Sequence, residues 1–172
     1  MTSEDLTQRI WNCDRCPCYR GLPYGTLPLA GRGLSTAKYV FAYEHPSLLE
    51  TSIGEAASES YPAGDYFWRV IQEDGFIKED VYVTPLIKCC VPKAKKSYFD
   101  ICIDWFWEEL TLILPEKVFL MGSNVSKIVL KHPRYADFSN CRFIPCVSMH
   151  VLYNGGQKIR VGFSKVIRGK QK

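Results

Sequence analysis

Eight cysteines stand in this chain, and their spacing is its most chemically informative feature. Cys13 and Cys16 are two residues apart, a gap that lets both thiolates face one ion. Cys89 lies in Ile87-Lys88-Cys89-Cys90-Val91-Pro92, and Cys102 follows after twelve residues, unlike the short second knuckle of a zinc ribbon. Were those four to meet, the start of the chain would be tied to its middle around a metal centre. An all-thiolate donor set suits either structural zinc or an iron–sulfur cluster. Cys18 and Cys90 are adjacent alternatives to their neighbours, while Cys141 and Cys146 read as small buried hydrophobes.

The composition makes the thiols notable. A chain of 172 residues, 47% hydrophobic, can build a full core as one domain spanning 1–172 and does not need disulfides to fold. The polar, acidic opening Met-Thr-Ser-Glu-Asp-Leu is unlike a signal peptide, and no apolar run reaches the ~18–20 residues of a membrane helix. A reducing, intracellular setting is therefore expected, and Asn124-Val125-Ser126 reads as a chance glycosylation sequon. The net charge of +4 permits a polyanionic partner without demanding one. Lys93, Lys95 and Lys96 follow the cysteine pair, and Lys158, Arg160, Lys165, Arg168, Lys170 and Lys172 crowd the end.

Several elements must position these groups. Residues 3–12 read as a helix capped by Thr2 or Ser3, running into the first cysteines. Residues 19–36 form a loop rich in Gly and Pro. Strands are expected at 38–43, 81–84, 117–121 and 142–147, and helices at 64–74, 98–114, 123–131 with Ser123 as cap, and 157–168. The stretch from Glu44 to about Pro62 reads as irregular. Strands alternating with helices predict an α/β fold, a three-layer α/β/α arrangement with a mostly parallel four-stranded sheet. Ligands in such folds bind beyond the carboxyl ends of the strands. Those ends carry Tyr43-Glu44-His45-Pro46, Pro85 to Cys90, Gly122-Ser123-Asn124 and Ser148-Met149-His150, so two of the three histidines share one rim.

Taken together, these segments resemble the family 4 iron–sulfur branch of the uracil-DNA glycosylases. Cys13-x2-Cys16 before Leu22 is similar to that family's opening, and Val81-Tyr82-Val83-Thr84-Pro85-Leu86-Ile87-Lys88-Cys89 to its strand ending in Thr-Asn-x-x-Lys-Cys. Cys102 to Trp105, then Leu114-Pro115-Glu116-Lys117-Val118, resembles its Cys-led helix and the strand that follows, and Gly122 matches the Gly of a Leu-Gly turn. The resemblance implies a [4Fe–4S] cluster on Cys13, Cys16, Cys89 and Cys102. A zinc-stabilised binding domain is the weaker alternative.

The pocket departs from the family pattern. Tyr43-Glu44-His45-Pro46-Ser47 stands where the family has Gly-Glu-x-Pro-Gly, keeping Glu and Pro and losing both glycines. Tyr61 is the aromatic nearest the Ala63-Gly64 pair, before which the family places the Phe that stacks on uracil. Pro85 replaces the uracil-reading Asn, and His150-Val151-Leu152-Tyr153 keeps the histidine of the final His-Pro-Ser motif. The resemblance implies that Glu44 orients water or offsets charge on the sugar, and that His150 donates to the departing base. Tyr43, His45, Pro46, Tyr61 and Pro85 would then surround the base. Leu152 or Tyr153 would wedge into DNA, with Lys93 and Lys95 near its backbone.

The expected function is removal of uracil or another altered base from single- or double-stranded DNA by hydrolysis of the N-glycosidic bond. The alternative is an inactive member that keeps the cluster and binds DNA or a replication or repair protein. A monomer without membrane attachment is expected, in the cytoplasm or nucleoid. The changed pocket and compact chain also fit small viral accessory proteins, which would place it in a host cytoplasm.

Overall fold

The run Tyr39–Tyr43 (β1) turns Val40 and Ala42 to one apolar layer and Phe41 and Tyr43 to the other. A strand buried on both faces belongs inside a sheet with helices on either side. In the computed structural model, which describes residues 2–18 and 27–169, that is what forms. β1 pairs in parallel with Val81–Pro85 (β2) and with Lys117–Met121 (β3), and β3 pairs in parallel with Arg142–Cys146 (β4). The order is β2-β1-β3-β4, and every pairing is parallel. Pro145, which has no N–H to give, is tolerated on the outer strand β4. The other edge is covered where Arg32 and Val83 exchange two backbone hydrogen bonds of 2.8 Å.

Seven helices accompany the sheet among the described residues: α1 (Ser3–Trp11), α2 (Leu48–Ile53), α3 (Pro62–Glu73), α4 (Lys96–Ile113), α5 (Ser123–Lys131), α6 (Met149–Asn154) and α7 (Gly156–Ile167). Leu6 and Ile10 of α1, Phe106 and Trp107 of α4, and Val125 and Val129 of α5 pack on the face of Val40, Ala42, Val118 and Leu120. Phe67 and Ile71 of α3, Leu152 of α6, and Phe163 and Ile167 of α7 cover Phe41, Val83 and Phe119 opposite. The three-layer α/β/α architecture expected from the alternating elements is the one observed. No helix among the described residues is long and apolar enough to cross a membrane.

Two local expectations are corrected, and one element is added. The stretch after Glu44 is not wholly irregular, because Ser47 caps α2 in a reciprocal capping box with Glu50. Gly122, at φ +107°, is the N-cap of α5, so Ser123 is its first helical residue rather than its cap. A further short helix, α6, is capped by the Ser148 side chain accepting from Val151 N–H. Leu22, the first glycines of the 19–36 loop, Lys170 and Lys172 lie outside the described residues.

Candidate functional site

Parallel pairing puts the carboxyl ends of all four strands on one rim, and a cavity of about 350 Å³ opens there. β1 delivers Tyr43, Glu44 and His45 to its wall, β3 delivers Met121, and the cap and first turn of α6 deliver Ser148, Met149 and His150. Tyr61 and Ala63, at the start of α3, complete the opposite side with Ser47 and Glu50. The expected residues Tyr43, Glu44, His45, Tyr61 and His150 are thus brought together. Pro46 is buried beside them without lining the cavity. Pro85 is level with Tyr43 in the sheet, buried, and likewise absent from the wall.

Each polar group has a definite setting. Glu44 Oε2 accepts from Asn124 Nδ2 at 3.3 Å, so α5 orients the carboxylate. His45 Nδ1 lies 3.1 Å from the Pro46 carbonyl oxygen, which fits a tautomer donating there and leaving Nε2 as an acceptor. Asn154, one turn along α6, donates to the His150 carbonyl at 3.0 Å and sits 3.2 Å from the ring's Nδ1. His150 itself is exposed at the mouth.

Glu50 was not singled out from the sequence, yet it is a buried carboxylate in the cavity wall, 4% exposed. Its Oε1 accepts from Tyr43 O–H and Ala57 N–H, each at 2.8 Å, and its Oε2 from Ser47 N–H at 2.7 Å. Burial raises the Tyr43 phenol well above its ordinary range, and the Glu50 carboxylate beside it adds to the effect. The signal was present in Ser47-Leu48-Leu49-Glu50, a capping-box pattern that announces a helix start.

The expected wedge is corrected in part. Leu152 is fully buried in the core, whereas Tyr153 is 44% exposed and packs edge-on against Tyr66 with ring centroids 5.8 Å apart. Residues two apart on a helix point to different sides, so His150 at the mouth and Leu152 cannot share a face. Lys93 and Lys95 are both exposed, with Lys95 Nζ 5.6 Å from the Tyr98 ring.

No cysteine lines this cavity, and Cys13, Cys16, Cys18, Cys89 and Cys102 pack together in the core layer of α1 and α4. Cys16, Cys89 and Cys102 are buried and Cys13 is half-buried, all as free cysteines. Burial pushes the Cys89 thiol far up, and Cys102, Cys16, Cys18 and Cys13 each push it further. Burial likewise raises Cys102 to about 11, against a hydrogen bond from the Lys88 backbone N–H. Cys18, pushed up to about 12 by burial and by Cys16, belongs to the same group. Cys90 does not, since burial and Glu50 are what raise it. Trp105 Nε1 donates to Cys13 Sγ at 3.3 Å, and the Arg15 guanidinium covers the indole at 3.7 Å.

Among the described residues, no three Cys, His, Asp or Glu side chains close round a single ion. The donor chemistry nevertheless fits a thiolate-bound centre. Cys13, Cys16 and Cys18 of the N-terminal segment and Cys102 of α4 all bear electrostatically on Cys89 of the β2–α4 loop, so these thiols stand close enough for one bound cationic centre to offset the charge of their thiolates. Cys141 and Cys146 are raised to about 11 and about 12 by burial alone, consistent with their reading as packing residues.

A doubly covered parallel sheet with a cavity at its carboxyl rim defines an α/β protein with a small-molecule or base-sized site. The family follows from comparison: residues 36–161 match the uracil DNA glycosylase superfamily model, and the chain belongs to that superfamily. It is 21% identical over 134 residues to a type-4 uracil-DNA glycosylase of Pyrobaculum aerophilum, covering 76% of this chain and 66% of that protein. It is 25% identical over 129 residues to another from Archaeoglobus fulgidus, covering 73% of this chain and 62% of the relative. The chain thus spans slightly under two thirds of the length of these relatives. The crystal structure of Pedobacter heparinus SMUG2 shares the fold at TM-score 0.54 and 12% identity, covering 78% of this chain and 74% of that one.

Proposed function

We propose that the protein is a DNA glycosylase that hydrolyses the N-glycosidic bond of uracil or another altered base. The observation that carries this reading is that Glu44 and His150, far apart in the sequence, line one base-sized cavity. The reaction needs the nucleotide turned out of the stack, the base held, and charge stabilised as the sugar acquires oxocarbenium character. Glu44, oriented by Asn124, directs water toward the sugar and offsets its positive charge. His150 donates to the departing base from the cavity mouth. Tyr61 and Tyr43 flank the base, and exposed Tyr153 occupies the space it vacates in the duplex. Lys93 and Lys95 meet phosphates.

Cys13, Cys16, Cys89 and Cys102 would hold a [4Fe–4S] cluster, which ties the N-terminal segment to the β2–α4 loop and takes no part in the hydrolysis. Cys18 is the one further thiol within the group's electrostatic reach. The second reading, a glycosylase fold that binds DNA or a repair partner without cutting, is favoured by Pro85, which has no side-chain donor or acceptor to read a base edge.

Incubation with single- and double-stranded oligonucleotides carrying uracil, hypoxanthine or xanthine, followed by alkaline cleavage, separates the two. Strand breaks that vanish in Glu44→Gln and His150→Ala support the enzyme and its assigned residues. Intact strands from every substrate, with DNA binding retained, establish the second reading.

A further inference from the structure

Glu44 and Ser148 each face two spaces. On one side is the base-sized cavity, and on the other a groove of about 880 Å³ that runs out between α5 and α7. The groove has an apolar floor, built by Val147 after β4 and by Ile159, Phe163 and Val166 of α7. Lys127 of α5 and Lys158 of α7 stand on its flanks. Glu44 is the one carboxylate in its wall and sits at the junction with the cavity, so beyond that point every charged side chain is a lysine.

Helix α5 carries this positive charge onward. Asn124, Lys127 and Lys131 recur at i, i+3 and i+7, which sets them in one stripe along the helix, and α5 holds no acidic residue. The stripe begins where Asn124 donates to Glu44 and ends at a second pocket, which Lys127 shares with Lys96, Lys131 and His132. Asp100, the carboxylate in that pocket's wall, is taken up by Lys96 at 2.6 Å. Lys127, Lys131 and Lys158 are exposed, and among the described residues they form no ion pair. A solvated helix face commonly alternates the two signs, whereas here one sign lines a path leading out of a cavity. The opposite wall of the cavity, made by Ser47, Glu50, Tyr61 and Ala63, offers no Lys or Arg.

We propose that the DNA strand on one side of the target nucleotide follows this groove and then the α5 lysines, so that the protein grips the lesion strand asymmetrically. This rests on the reading that a nucleotide of DNA enters the cavity, and it names the residues that hold the neighbouring backbone. Lysine is a compact point charge on a flexible stem, suited to phosphates whose spacing varies along a single strand. The aliphatic floor packs against sugars and base faces without reading their edges, which makes the grip indifferent to sequence. Lys96 follows directly on Lys95, so the path leads toward the lysines of the β2–α4 loop.

The test measures binding of single-stranded oligonucleotides that carry one tetrahydrofuran abasic analogue, which the protein cannot hydrolyse. In one series the strand is lengthened only 5′ of the analogue, in the other only 3′, and affinity is read by fluorescence anisotropy. Affinity should rise about tenfold with length in one series and stay level in the other. In Lys127→Ala and in Lys158→Ala that gain should shrink. For the long oligonucleotide, the slope of log affinity on log salt should become shallower by about 0.7 in each variant. Lys117→Ala, at the start of β3 and the far end of the sheet, removes the same charge and should leave both readings unchanged. Equal gains in the two series, or a gain that survives both substitutions, overturn the inference, and the base-release assay then decides the glycosylase reading independently. No binding to any oligonucleotide overturns the inference together with the reading on which it rests.

Discussion

Lys88 Nζ lies 2.7 Å from Glu109 Oε2, with the two side chains 0% and 1% exposed. The pair is bound into a larger network. Thr84 Oγ1 donates to the same oxygen at 2.6 Å and accepts from Lys88 at 2.7 Å, while Gly31 N–H donates to Glu109 Oε1 at 2.9 Å. One buried carboxylate thus joins the loop before β1, the end of β2, the Lys88-Cys89 segment and the helix carrying Cys102. Burying both charges is costly, and removing one partner leaves the other unmatched in a dry interior. Lys88→Met should therefore cost about 3–5 kcal/mol in urea unfolding. The double variant Lys88→Met/Glu109→Gln keeps an acceptor for Gly31 and should recover most of that loss, whereas two independent sites would show additive losses.

The thiol centre makes a separate prediction. Purified anaerobically, the protein should be brown, with broad absorbance near ~400 nm, and iron and sulfide should be found on analysis. Cys16→Ser, Cys89→Ser and Cys102→Ser should each abolish that absorbance, while Cys141→Ser and Cys146→Ser should leave it unchanged. Colourless protein holding one zinc per chain would instead identify a mononuclear thiolate site.

The strands were legible because each is a short apolar, β-rich run whose residues alternate between two covered faces, as Val40, Phe41 and Ala42 do. The rim is legible because alternating strands and helices imply parallel pairing, which sets the residues just after β1 and β4, Glu44 and His150 among them, at one end of the sheet. The two six-residue helices escaped because they carry caps rather than periodicity: Leu48, Leu49 and Ile53 of α2 are exposed, so no apolar face repeats. Glu109 was illegible for a different reason. In Trp107-Glu108-Glu109-Leu110 it reads as a surface carboxylate, and only the distant Lys88 makes its burial tolerable. Leu152 is read as a wedge only through the family motif, and nothing in the sequence around it shows that its side chain is buried in the core.

Acid should weaken the protein through Glu59. Partial burial raises this carboxyl's pKa, but hydrogen bonds from Lys78 and from Arg32, the latter 2.6 Å away, outweigh it and bring the value down to about 2. A group depressed in the folded state contributes stability above its unfolded value of about 4.5, and that contribution is lost as pH falls toward the folded value. Between about pH 4.5 and pH 2 the melting temperature should therefore drop more steeply for the native sequence than for Glu59→Gln. Parallel melting curves would remove Glu59 from the acid response.

Gly64 links stability to the shape of the cavity. A Cβ at this position would stand 2.2 Å from the Ser58 carbonyl oxygen and 3.0 Å from the Ala57 backbone. Those atoms cannot retreat freely, because Ala57 N–H donates to Glu50 at 2.8 Å and Trp68 Nε1 donates to the Ala57 carbonyl at 2.8 Å. The extra methyl must displace either helix α3 or the segment that leads to Tyr61. Gly64→Ala should thus cost about 1–3 kcal/mol by urea unfolding, the usual range for overpacking. Because Tyr61 and Glu50 both line the cavity, the same variant should also weaken binding of oligonucleotides that carry an altered base, with little change for undamaged DNA. Loss of stability with lesion binding intact would show that α3 absorbs the displacement and the cavity wall does not.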